Sequence, residues 1–95
     1  MELLTGIYNN ELLSVESTDY LFGLMKQQVH RQGIPAGSRG SEVADKIGFL
    51  GSWNNDIGIV YSPKTTYGLV ILTEGAGGLG GVQKLSQEIY DFYNQ

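Results

Sequence analysis

A chain of 95 residues has room for one domain, and one this short buries too small a fraction of its surface to be very stable. Its 10 Asp and Glu against 6 Lys and Arg give a net charge of -4, which argues against binding a nucleic-acid backbone, and the lack of Cys excludes disulfides, thiolate metal sites and thiol nucleophiles. No stretch is apolar for the length of a membrane span, and 41% hydrophobic residues are enough for a folded core.

In chain order, Leu3, Leu4, Ile7 and Tyr8 recur at helical spacing and predict a short first helix that fades at Asn9-Asn10. The opening residues, Met1 to Gly6, have no basic region ahead of an apolar core and do not form a signal peptide. A second helix is predicted with Ser17 as its cap and Tyr20, Leu21, Leu24, Met25 and Val29 as one apolar stripe, stopped by Gly33 and Pro35. Residues 37–41 read as a small flexible loop. Three strands follow, over 43–50, 56–61 and 67–73, with turn chemistry at Gly51-Ser52 and Ser62-Pro63-Lys64 suited to antiparallel hairpins. A last helix uses Leu79, Val82, Leu85, Ile89 and Phe92 or Tyr93. The expected fold is therefore α+β in the order α-α-β-β-β-α, a three-stranded antiparallel sheet flanked by helices, in a single domain over 1–95.

The segment Val43-Ala44-Asp45-Lys46-Ile47-Gly48-Phe49-Leu50 carries the chemistry. Val43 and Ile47 fit the pleat, and Lys46-Ile47-Gly48 sets an ammonium beside a glycine whose missing side chain lets another molecule approach the backbone. Such a strand can hold an anion and donate to a carbonyl; equally, a lysine on an edge strand discourages aggregation. Around it, in order, stand Ile34-Pro35-Ala36-Gly37, Val43-Ala44-Asp45-Lys46, Asn55-Asp56-Ile57-Gly58-Ile59-Val60-Tyr61 and Leu69-Val70-Ile71-Leu72-Thr73-Glu74-Gly75. This ordered series resembles the C-terminal part, about the last third, of the class A beta-lactamases and penicillin-recognising serine hydrolases, with Lys46-Ile47-Gly48 at the place of their Lys-Thr-Gly strand.

The resemblance implies a truncated beta-lactamase-like C-terminal region. Lys46, Ile47, Gly48 and Phe49 would be its substrate-binding residues: Lys46 beside a substrate carboxylate, and the Phe49 backbone N–H as one oxyanion donor. The implied parent activity is hydrolysis of a beta-lactam amide through an acyl-serine, outside the cytoplasmic membrane and without a cofactor. This chain departs from the pattern in three ways. No serine stands three residues before a lysine, so no catalytic residue set is complete and the chain alone should be inert. Ile47 replaces the hydroxyl-bearing Thr, and residues 47–63 hold no Arg or Lys to act as a second cation. A beta-lactam or peptidoglycan-like substrate is thus expected only together with the missing part. A reading of another class is a non-catalytic, self-associating interaction module: the resemblance implies that the strand over 67–73 lacks the neighbours the absent part would supply, and residues 68–72, aliphatic, uncharged and free of proline, do not block pairing at that edge, which predicts a homo-oligomer.

Other features carry less. Gly75-Ala76-Gly77-Gly78-Leu79-Gly80 matches G-x-G-x-x-G, but no second strand or distant acid follows it before Gln95, so a connector is expected rather than a dinucleotide site. Ser52-Trp53-Asn54 spells another motif of the resembled family in the wrong order, and Trp53 is expected to cover the core edge from a hairpin tip. His30 stands alone and reads as a surface residue near a helix end, while Tyr90, Phe92 and Tyr93 read as core.

Overall fold

The computed structural model describes residues 1–75 and 78–95. Helix α1 (Glu2–Tyr8) and helix α2 (Val15–Lys26) lead through a 3-10 turn (Ile34–Gly37) into strands β1 (Glu42–Leu50), β2 (Trp53–Tyr61) and β3 (Thr66–Glu74), and helix α3 (Gly78–Tyr93) closes the chain. The fold class and element order are those expected from the sequence. The sheet is antiparallel in the order β1-β2-β3, and its register sets Lys46, Ile57 and Val70 in one row and Gly48, Asn55 and Leu72 in the next row on the same face.

Strand alternation divides the core into two layers, one on each face of the sheet. Val43, Val60, Tyr67 and Ile71 meet Ile34 of the 3-10 turn and Val82 and Tyr90 of α3, while Ala44 and Ile59 meet Leu4 of α1 and Phe22 of α2. Ile34, Val43, Val60 and Val82 are fully enclosed, each worth about 1.5–3 kcal/mol of apolar burial. The 3-10 turn lies directly on α3. A Cβ at Gly37 would strike the Gln83 carbonyl oxygen and sit 2.7 Å from the Gln87 nitrogen, and Ser38 and Ser86 both donate to the Ile34 carbonyl, at 2.8 and 3.0 Å. The expected flexible loop over 37–41 therefore begins as ordered, close-packed backbone.

Local chemistry shifts several predicted details. Ser14, not Ser17, caps α2: its Oγ accepts the Ser17 N–H at 3.1 Å, so the helix starts earlier and Ser17 is the donor. The buried face of α2 is Thr18 and Phe22, with Leu21 and Met25 half-buried, whereas the stripe residues Tyr20, Leu24 and Val29 are exposed. Docking of α1 decides this face, because Phe22 packs on Tyr8 and Thr18 donates to the Ile7 carbonyl. Strand β2 begins at Trp53, three residues before the predicted start, because the 51–52 hairpin, with Gly51 at φ +58°, carries the ladder through Asn54 and Asn55 despite their poor strand propensity. Asn55 Oδ1 accepts the Thr73 N–H at 3.0 Å and the Thr73 hydroxyl donates to the Asn54 carbonyl. Trp53, at 52% exposure, does not cover the core edge, and of the C-terminal aromatics only Tyr90 is buried, Phe92 and Tyr93 being exposed. Among the described residues no helix is long and apolar enough to cross a membrane.

Candidate functional site

The chain from α2 to the 3-10 turn, residues 27–33, runs along the outer edge of β1. Arg31 donates to the Val43 carbonyl, Gln28 to the Asp45 carbonyl, and the Lys46 ammonium to the Ile47 carbonyl at 3.3 Å. In an antiparallel ladder, residues alternate between pairing with the neighbour and pointing both backbone groups outward. Residues 43, 45 and 47 are thus the outward ones, and side chains already occupy their carbonyls. By the same alternation, the Phe49 N–H and C=O are the next pair to face out.

Side chains alternate between faces along the same stretch. Lys46 and Gly48 are exposed on the α1/α2 face, at the end of the sheet beyond those helices, where Leu50, Trp53 and Leu72 also stand uncovered. An added Cβ at Gly48 would meet nothing within 4 Å, so the backbone here is open to approach. Ile47 lies on the other face and is buried at 4% exposure. Of the four residues named from the sequence, the structure therefore brings Lys46, Gly48 and the Phe49 backbone to one open edge and turns the Ile47 side chain away from it. Lys46 is exposed although Asp45 and Ile47 on either side of it are buried. His30 sits past the end of α2 with its ring edge-on to Phe49, centroids 6.0 Å apart, so it flanks this edge. The glycine-rich segment is described only in part: Ala76 and Gly77 lie outside the described residues, and Gly78 opens α3.

Beneath Lys46, on the buried face, lies a group that sequence reading missed. Asp45 and Asp56 are enclosed, at 0% and 1% exposure, and their carboxyls lie close enough to interact. Gln28 Nε2 donates to Asp45 Oδ1 at 2.7 Å, Arg31 Nη1 lies 3.8 Å from the same oxygen, and the Ile34 N–H donates to Asp56 Oδ2 at 2.8 Å. Burial pushes the Asp56 carboxyl up to about 8, the neighbouring Asp45 carboxyl adds to this, and the Ile34 N–H opposes it. Two glycines make the room. A Cβ at Gly33 would strike Asp56 Oδ2, and one at Gly58 would lie 2.6 Å from the Ala44 carbonyl oxygen and 2.7 Å from Asp45 Cβ. The available signal was positional: Val43, Asp45 and Ile47 share one strand face, so an acid stands in an apolar row.

The sequence signature of the Beta-lactamase enzyme family matches residues 1–93, and the chain belongs to that family. Among solved structures, PBP-A superposes with a TM-score of 0.89 at 26% identity, over 97% of this chain and 37% of PBP-A. A point mutant of PBP-A, solved as an acyl-enzyme complex with penicillin G, gives the same values. A beta-lactamase from Sphaerobacter thermophilus shares the fold, with a TM-score of 0.86 at 17% identity over 96% of this chain and 37% of that one. The chain thus spans little more than a third of these proteins. No curated protein matches it in sequence.

Proposed function

We propose that this chain carries the substrate-recognition edge of a beta-lactamase-like serine hydrolase, with the nucleophile supplied by sequence outside residues 1–95. The observation that carries this reading is the geometry at 46–49: an exposed ammonium, an open glycine and an outward Phe49 N–H together at the uncovered end of the sheet. Lys46 would attract the substrate carboxylate, and the Phe49 N–H would donate to the carbonyl under attack. Penicillin acylation of a PBP-A mutant supports a beta-lactam as the substrate class. No Ser-x-x-Lys is present, so the four lysines of this chain have no serine to activate.

The test is a titration of the isotopically labelled chain with benzylpenicillin, read by amide NMR, alongside a covalent-labelling assay. Fast-exchange shifts at Lys46, Gly48 and Phe49, weakened by Lys46→Ala, with no label retained after denaturation, are the expected result. Absence of shifts at millimolar ligand, or shifts indifferent to Lys46→Ala, would refute the recognition edge; stoichiometric label would refute the inertness.

One observation favours a self-associating module as a second reading. Among the described residues β3 has no neighbour on its outer side, and an apolar groove of 370 Å³ lined by Tyr67, Leu69, Leu85, Ile89 and Phe92 runs beside it. Antiparallel pairing of two β3 edges around Val70 would extend the sheet and bring two such grooves together.

A further inference from the structure

We propose that Asp45 and Asp56 hold one proton between them, Asp56 donating and Asp45 accepting, and that the joined pair is the pin that positions the edge at 46–49. The functional weight of the second half rests on that edge being the recognition edge proposed above; the pair itself does not.

Four carboxyl oxygens have to be satisfied in this enclosure. Gln28 and Arg31 serve Asp45 Oδ1, and the Ile34 N–H serves Asp56 Oδ2. The two that remain, Asp45 Oδ2 and Asp56 Oδ1, are buried and find no donor among the described residues. Two anions in contact would repel, and each orphan acceptor would bear its full desolvation penalty. A single proton turns that conflict into one hydrogen bond and satisfies both oxygens.

The surrounding charges allow one negative charge and no more. Arg31, from the connection after α2, is the cation that reaches the pair. On β1, Lys46 lies on the opposite face and Glu42 pairs with Lys26 at 3.0 Å. On α3, Lys84 and Glu88 are exposed and Asp91 is taken by Arg39. His30, on the connection, is exposed against Phe49. Among the described residues nothing else in contact compensates a second anion.

Placement gives the pair its role. Asp45 precedes Lys46, and Asp56 stands opposite Ile47 in the ladder, so the two carboxyls brace the sheet under Lys46 from the far side. Through Gln28 and Arg31 the pair holds the connection that occupies the β1 edge carbonyls, and through Ile34 it holds the start of the 3-10 turn. Asp45 and Asp56 are in this sense positioning residues: three segments meet at one shared proton, one residue away from the ammonium.

The deciding experiment is a carbon-13 titration of the aspartate carboxyls in the unaltered chain, joined to amide hydrogen exchange. One aspartate resonance, assigned to Asp56 by its loss in Asp56→Asn, should move near pH 8. Above that pH the protection of the Ile34, Lys46 and Gly48 amides, corrected for intrinsic exchange, should fall about tenfold or more. Asp56→Asn, whose amide can donate to Asp45 while its oxygen accepts from Ile34, should keep that protection through the same range. Asp56→Ala, which can do neither, should lose it at any pH. An Asp56 carboxyl that titrates in the ordinary carboxylate range would overturn the shared proton, even if the alanine variant fails to fold. An asparagine variant whose protection declines with pH like that of the parent would overturn the pin. None of these readouts involves a beta-lactam, so failure to recognise benzylpenicillin would leave them standing.

Discussion

Raising the pH should destabilise this protein by a route its acidic composition does not suggest. In the unfolded chain the Asp56 carboxyl has its ordinary value of 3.8; in the folded chain it is raised to about 8. Between these values the native state holds a proton that the unfolded state has released, so stability is full below the lower value, declines throughout the window and levels off above the upper one. The slope approaches about 1.4 kcal/mol per pH unit, and across the window the loss is on the order of 5 kcal/mol. A small domain has roughly 5–15 kcal/mol in all, so the change is large. Asp91 acts with opposite sign: hydrogen bonding to Arg39 holds its exposed carboxyl below the usual range, which adds stability above that range and loses it as acid protonates the group. The stability maximum is therefore expected on the acid side of neutrality. Urea unfolding followed by circular dichroism, from about pH 5 to about pH 8.5, should show a falling midpoint in the parent and a nearly level one in Asp56→Asn. A midpoint that stays constant or rises in the parent over that range would refute the reasoning.

Three further outcomes follow from the packing. Gly37→Ala should cost about 3 kcal/mol, at the upper end of overpacking, because the new methyl meets backbone of α3 that cannot rotate away; a loss in urea unfolding below about 0.5 kcal/mol would show that the turn can lift. Ser14→Ala should cost about 1 kcal/mol and Ser17→Ala almost nothing, since the hydroxyl of the first caps α2 and only the backbone N–H of the second takes part; the reverse order in thermal melts would restore Ser17 as the cap. If the chain self-associates through β3, light scattering behind size exclusion should show a concentration-dependent dimer that Val70→Lys returns to monomer without loss of helical signal, whereas a monomeric parent at high micromolar concentration ends that reading.

Much of this protein is legible in one dimension. Element order, strand pairing and fold class follow from periods of 3.6 and 2 and from glycine and proline at the turns, because these signals are local and each was strong. The resemblance carried by Val43-Ala44-Asp45-Lys46 and the Asn55-Asp56 strand likewise led to the family that the match over 1–93 shows. The resemblance named Lys46, Ile47, Gly48 and Phe49, and strand alternation fixes how these neighbours relate to a face and an edge. Where sequence reading failed, the missing information was a second element. The apolar residues of α2 could serve more than one face, and the docking of α1 selected Thr18 and Phe22 over Tyr20 and Leu24. Ile47 could be placed in the motif, but only the sheet's covered side shows that it points inward.

Asp45 and Asp56 mark the boundary most clearly. Eleven positions apart, they read as two acids among the ten that give the chain its charge, and nothing local says that they touch. Antiparallel pairing brings them together, Gly33 and Gly58 leave space for them, and Gln28, Arg31 and Ile34 arrive from another segment to share their oxygens. Hydrophobic pattern and turn chemistry are properties of a segment and its neighbours. The protonation of a buried carboxyl depends on solvent exclusion and on charges distant in the chain, and these exist only once the chain has folded.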